Sequence, residues 1–186
     1  MRFTLTFRGP LPVKASPSDK QLIRRQLHPQ LKQLWSVAPL NKQTYTLLSE
    51  EQTIRPCVIS RLSPFRFAPL VSTKLHLIAK LEIFFLRPEA PGNLVTQGGD
   101  IDNRLKTLFD ALRMPRVANE LPTNDTPQQG EDPFFCLLED DALITEISVK
   151  TDMLLDPSAH SSSAELLIRV ETGAVEPGWG TSMGLA

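Results

Sequence analysis

Carboxylates at two places in this chain stand where they could hold a metal ion. Asp100 and Asp102 lie two residues apart, with Asn103, Lys106 and Asp110 following; later Glu139, Asp140 and Asp141 come in a row. In extended backbone, residues i and i+2 face the same side, so Asp100 and Asp102 can point at one place. On a helix, Asp102, Lys106 and Asp110 fall at i, i+4 and i+8 and form one ridge. If the two groups meet, several carboxylates share one small volume and stay ionised together only around a cation. A hard divalent ion with oxygen ligands suits them. The histidines, at 28, 76 and 160, are scattered and give no zinc spacing. The same residues have common structural uses: Asp102 and Asn103 as helix caps, Asp102 with Lys106 as an i,i+4 ion pair, Asp140-Asp141 as a turn. Spacing alone leaves both uses open.

These carboxylates need elements to carry them. A flexible stretch after Pro88, Pro91 and Gly92 runs to Gly98-Gly99, and a helix is expected from about Asp100–Asp102 to Leu112, stopped before Pro115. Upstream, 74–87 (KLHLIAKLEIFFLR) is apolar enough for a central strand. Downstream, 114–133 is polar, rich in Pro, Asn and Gln, and reads as a loop; Phe134 to Leu138 lead into the acidic triplet, and Leu143 to Lys150 alternate as a strand. Further strands are expected at 2–8 and 165–171. A helix over roughly 18–36, capped by Ser16 or Ser18, carries Leu22, Ile23, Leu27, Leu31, Leu34 and Trp35 at three- and four-residue intervals, with Pro29 expected to bend or split it. In 37–72, Tyr45–Leu48 and Cys57–Leu62 are weak strand candidates, and Pro64 and Pro69 bracket an exposed-looking Phe65-Arg66-Phe67. The fold class expected is α+β: a small mixed β-sheet of the strands near 2–8, 74–87, 143–150 and 165–171, with helices packed on one face. The domain reading is one domain over 1–171, with 113–138 as an inserted loop and 172–186 as a flexible Gly-rich tail.

Composition bounds the function. The 186 residues, 41% hydrophobic and 22% charged, suit a globular domain rather than a disordered chain. Sixteen prolines predict long connections. The apolar run Ile83 to Leu86 is far short of the ~18 residues a membrane span needs. Two cysteines, Cys57 and Cys136, form neither a disulfide framework nor a metal spacing, so a cytoplasmic location is expected, without a membrane. Net charge is only −1, yet residues 1–99 hold 14 basic and 5 acidic residues, and 100–186 hold 6 and 16. Either the basic half meets an acidic partner or the two halves neutralise each other within the fold.

The segments DIDNRLKTLFDAL and EDDALITEISV resemble the RusA-like family of Holliday-junction resolvases, whose pattern is Asp-x-Asp-Asn-x-x-Lys, Asp-Ala-Leu on the same helix, then Asp-Asp-x-x-Ile/Val opening a strand. The close match covers only those two segments, and the element order extends it over most of the chain. The resemblance implies a Mg²⁺-dependent structure-selective endonuclease acting as a homodimer on branched DNA. It assigns Asp100, Asp102 and Asp141 as acidic catalytic residues holding the metal, Lys106 as the basic catalytic residue, and Asn103, Asp110 and Asp140 as supports. Bound Mg²⁺ would generate a hydroxide-like nucleophile and neutralise charge on the scissile phosphate, with Lys106 stabilising the transition state. The basic half would supply phosphate contacts through Arg24, Arg25, Lys32, Arg61, Arg66 and Lys74. Phe65 or Phe67 is a candidate wedge into an opened junction, a core position being the commoner use.

The chain departs from that family in three respects. It is longer, with a sequence pI near 6.3 rather than a distinctly basic one. Residues 113–138 carry Glu120, Asp125, Glu131 and Asp132 where the family has a shorter connection, and 37–72 have no clear counterpart. Two other functions fit the same residues: a non-catalytic RusA-like nucleic-acid-binding or assembly module, and a metal-dependent phosphoesterase acting on another substrate. A broad basic surface would favour long nucleic acid over a small substrate.

Overall fold

The computed structural model describes residues 1–51, 56–88, 101–156, 158 and 163–186. Its architecture is mixed α+β, with two sheets and four helices among those residues. The strands are β1 (Arg2–Pro10), β2 (Ser60–Leu62), β3 (Phe65–Val71), β4 (Leu77–Arg87), β5 (Phe134–Leu138), β6 (Ile144–Met153) and β7 (Ser163–Ala174). The helices are α1 (Pro17–Trp35), α2 (Thr44–Leu48), α3 (Ile101–Leu112) and α4 (Trp179–Ser182). Four strands form one sheet in the order β1-β7-β4-β6, with β4 and β6 parallel and the other pairs antiparallel. These are the four strands expected of the mixed sheet. Among the described residues, no helix is long and apolar enough to cross a membrane.

Alternation builds the inner face of this sheet. Leu81, Ile83 and Phe85 of β4 stand in register with Val170, Ile168 and Leu166 of β7, and Ile168 and Leu166 face Leu5 and Phe7 of β1. All are buried, and they join Ile23, Leu27, Leu31 and Trp35 of α1 and Leu108, Ala111 and Leu112 of α3 in one core. The other face carries Lys80, Glu82, Arg169 and Glu171 toward water.

Helix α1 begins as expected: Ser16 caps it, accepting from Asp19 N, while the Asp19 carboxylate accepts from Ser16 N at 2.8 Å. Of the two outcomes expected of Pro29, a bend or a split, the split does not occur, and the helix runs on to Trp35. Pro29 sits on the exposed side, where the carbonyl it leaves unbonded can meet water, while Leu27, His28 and Leu31 bury the other side.

Residues 37–72 depart most from the sequence reading. Thr44–Leu48 is a short helix rather than a strand, whereas the strand candidate at Cys57–Leu62 is met in part by β2, which joins β3 and β5 in a second, three-stranded sheet. Phe65 and Phe67 are not exposed: with Phe134 they form a buried aromatic cluster, the ring centroids 5.5–5.9 Å apart. Buried there, neither is placed to act as a wedge. Segment 113–138 is no simple inserted loop, because it ends in β5, buried along its whole length. Residues 172–186 are not a frayed tail: β7 continues to Ala174, Leu185 is fully buried, and Thr172 Oγ1 donates to Leu185 O. The strand expected at 74–87 starts at Leu77, after a 3-10 turn (Thr73–Leu75) closed by His76 in the left-handed region. The flexible stretch expected up to Gly98-Gly99 lies outside the described residues.

Arg24 links the two long helices. It is 1% exposed; its Nη2 donates to Asp110 O at 2.7 Å and its Nε to Arg113 O at 3.3 Å. It thus satisfies carbonyls at the C-terminal end of α3, which no intrahelical donor reaches, and sets a positive charge at the negative end of the helix dipole. Beside it, Lys20 Nζ meets Asp110 Oδ2 at 2.6 Å. Arg24→Met should destabilise the protein by about 2–4 kcal/mol in urea unfolding, since two buried carbonyls lose a charged donor. A loss within the ~0.5 kcal/mol of a surface substitution would show the contact to be dispensable.

Candidate carboxylate site

Helix α3 is fixed on its buried side. Arg104 Nη1 donates to Leu11 O at 2.6 Å and Thr107 Oγ1 to Pro12 O at 3.0 Å, tying the helix to the loop after β1. The opposite side turns outward, where Asp102, Asn103 and Lys106 are exposed. The expected ion pair between Asp102 and Lys106 does not form, and Lys106 makes no hydrogen bond or ion pair among the described residues. Asp102 Oδ1 accepts from Asn103 N at 2.7 Å. Asp110 leaves the expected ridge: half-buried, it binds Lys20 and, at 3.1 Å, Arg113. Burial alone would raise its carboxyl, but those two cations outweigh it and hold the group below the usual carboxylate range. Its support is structural, fastening α3 to α1.

The acidic triplet splits into three roles. Glu139 Oε2 accepts from Ser72 Oγ, Thr73 N and Thr73 Oγ1 at 2.8–2.9 Å, pinning the turn that leads into β4. Asp140 caps the 3-10 turn Asp141–Leu143, accepting from Ala142 N at 2.9 Å. Arg116 clamps both remaining carboxylates: its Nε and Nη2 reach Asp140 at 2.8 and 2.7 Å, and its Nη2 reaches Asp141 at 2.6 Å. The turn Asp141–Leu143 packs against α3 and β4. The helix bearing Asp102 and Lys106 and the turn bearing Asp141 are therefore neighbours in space.

Nothing in the sequence pattern points to Arg116. Its partner Asp140 is 24 residues away, and only the fold joins them: Met114 N donates to Leu138 O at 2.9 Å, laying the chain after α3 alongside the end of β5. No spacing rule signals such a pair.

The donor set has the all-oxygen chemistry that a hard divalent cation takes. Asp102 and Asp141 fit that chemistry, while Asp100 lies outside the described residues, among which no three Asp, Glu, His or Cys side chains group as a metal site.

The residues expected to contact DNA are mostly committed within the chain. Arg24 is buried. Arg25 binds Asp125 at 2.9 Å and Glu131 at 3.0 Å. Arg61 Nε donates to Glu50 at 2.8 Å, and Arg66 binds Asp132 at 2.9 Å and Glu50 at 3.4 Å. Lys32 donates to Gly130 O and Lys74 to Cys57 O, each at 2.8 Å, so both remain exposed and without a carboxylate partner among the described residues. His28 completes the strap between α1 and the 122–133 segment. Its Nδ1 accepts from Phe135 N at 2.9 Å, which makes Nε2 the nitrogen donating to Gly130 O at 3.2 Å, and burial lowers its pKa. The acidic and basic halves of the sequence thus neutralise each other in large part within the fold. Arg24, buried, is not placed to contact phosphate, whereas Arg25, Arg61 and Arg66 already carry carboxylate partners.

The double hydrogen bond from Arg116, helped by Ala142 N, holds Asp140 down at about 2. A depressed carboxylate stabilises the fold above its unfolded value of roughly 3.9 and ceases to do so as pH falls through the folded value. Arg116→Ala should move the Asp140 titration up toward the ordinary carboxylate range, lower the stability at neutral pH, and shrink the part of the stability that is lost between the unfolded value of roughly 3.9 and the folded one. Carboxyl-detected NMR titration checks the first and unfolding followed across pH the other two; an unmoved Asp140 would show that the clamp does not hold in solution.

No protein-family model matches the chain, and no curated protein matches it significantly.

Proposed function

We propose that this protein is a RusA-like, Mg²⁺-dependent, structure-selective endonuclease that cuts branched DNA as a homodimer. One observation carries the reading: α3, presenting exposed Asp102 and uncommitted Lys106, packs against the turn that presents Asp141. Asp102 and Asp141, with Asp100, are the residues that would hold the ion. When bound, Mg²⁺ supplies charge neutralisation at the scissile phosphate and acidifies water. Lys106, one turn along the helix from Asp102, is free to meet the developing negative charge, and Asp110 keeps that helix in place. Arg116 holds only Oδ1 of Asp141, which leaves Oδ2 to serve as a ligand.

Phosphate binding is left to few groups. Lys14, Lys32, Lys42, Lys74 and Lys106 are exposed and lack a carboxylate partner among the described residues. Even if all five contacted phosphates, the log–log salt slope would reach only about −4.5 per chain. Such weak electrostatics suits recognition by DNA shape over broad affinity for duplex.

The Arg116 clamp favours a second reading, a non-catalytic RusA-like nucleic-acid-binding module, because the arginine already neutralises Asp140 and Asp141 without a metal. Incubating a labelled four-way junction beside linear duplex at low salt, with Mg²⁺ or EDTA, separates the two. Mg²⁺-dependent nicks near the branch point are expected, abolished by Asp102→Asn with the fold intact and lowered about 10²–10³-fold by Lys106→Ala. Junction binding without cutting would establish the module instead. Neither binding nor cutting would redirect the site to a phosphoesterase role on another substrate.

A further inference from the structure

The two edges of the four-stranded sheet are treated differently. At the β1 edge, Gln30 of α1 stands in for a neighbouring strand: Thr6 N donates to Gln30 Oε1 at 2.9 Å, and Gln30 Nε2 donates to Thr6 O at 2.7 Å. That edge is occupied at Thr6. At the other edge, β6 runs for ten residues with neither face well covered, and Ile147 is 47% exposed. Among the described residues, nothing pairs with its outer side. A long, uncovered edge strand is a template for another strand.

The charges on the outer face say which strand. Arg2, Glu171, Lys80 and Glu146 lie in one row across β1, β7, β4 and β6, each in register with the next. Arg2 and Glu171 pair at 2.8 Å and Lys80 and Glu146 at 3.0 Å. The row alternates in sign, so a cation at the next position would continue it, and Lys150, which in its own chain reaches Glu82 at 2.5 Å, stands on the same face of β6 as Glu146. We propose that this cation is Lys150 of the partner subunit in a dimer of this chain, and that two β6 strands pair antiparallel about a two-fold axis through Ser148. In that register Glu146 faces Lys150 of the partner subunit, Ile147 faces the partner's Val149, and Thr145 faces the partner's Thr151. A register displaced by two residues sets Glu146 against the partner's Asp152, a like-charge pair that opposes it. The outcome is a symmetric, self-complementary interface joining two sheets into one of eight strands. On the inner face, Ile147 and Val149 of both copies form a small apolar cluster.

This interface rests on the proposed function for its second copy, and its test uses no substrate. The full-length chain should elute as a dimer in size-exclusion chromatography with light scattering. In a Cys57→Ser background, Ser148→Cys should cross-link to itself under mild oxidation, because directly opposed strand residues lie within disulfide reach. Thr151→Cys should not, since that register holds its two copies ~20 Å apart. Glu146→Lys should raise the dimer dissociation constant by about tenfold or more through like-charge opposition to Lys150. A monomer, a dimer in which Ser148→Cys stays uncoupled or Thr151→Cys couples equally, or a Glu146→Lys variant that associates unchanged would overturn the interface. Junction cutting by a monomer would leave the nuclease reading standing while removing this one, and a cross-linked dimer that never cuts would do the reverse.

Discussion

The C-terminal carbonyls of α3 end inside the protein, and the arrangement of everything around them follows from how they are satisfied. Water is not at hand, so a donor must come from elsewhere in the chain, and Arg24 supplies it from the middle of α1. Because the guanidinium reaches two carbonyls from a fixed fork, it sets both the separation and the rotation of the helices. Lys20 and Arg113 then share Asp110, and Arg113 reaches on to Glu120 at 2.8 Å, so the departing chain is held as it turns toward β5. That turn delivers Arg116 to Asp140 and Asp141. A buried arginine with no role in chemistry thereby determines where the acidic turn sits relative to Asp102.

Charge in this protein serves mostly its own architecture. The Arg25, His28 and Lys32 stripe on α1, spaced three and four residues apart, faces the acidic 122–133 segment and ties it down. Arg66 does the same from β3 through Asp132. A sequence split so strongly into basic and acidic halves therefore folds into a surface with little uncompensated positive charge. Such a surface offers less long-range attraction to nucleic acid than the first half of the sequence suggests.

What can be read from the residues depends on whether burial is one-sided. β4, β7 and β1 alternate because one face is wet, and α1 and α3 show helical spacing for the same reason; all are legible. β3 and β5 are buried on both faces, so no alternation marks them, and Pro69 within β3 argues against a strand. The proline is tolerated because β2 pairs only as far as Phe67, leaving no strand on that side to receive a bond. Within the site, Asp102 and Lys106 stand exposed on one side of α3, as their spacing suggests. The fate of Asp110 is hidden, since its partner Lys20 lies 90 residues away. Arg24 passes for a surface residue although it stands three and seven residues before Leu27 and Leu31, on the buried stripe. A charged residue on an apolar stripe is better read as a buried donor to backbone.

The glutamine at the β1 edge has a bearing on solubility. A sheet with two open edges can add copies of itself without limit, and the product is a fibre. Gln30 obstructs one end in the middle of β1 by offering an amide shaped like a peptide group, which favours growth from the other. A sheet open on a single side is exhausted by one pairing event, so edge-to-edge addition along it would close at two copies instead of running on.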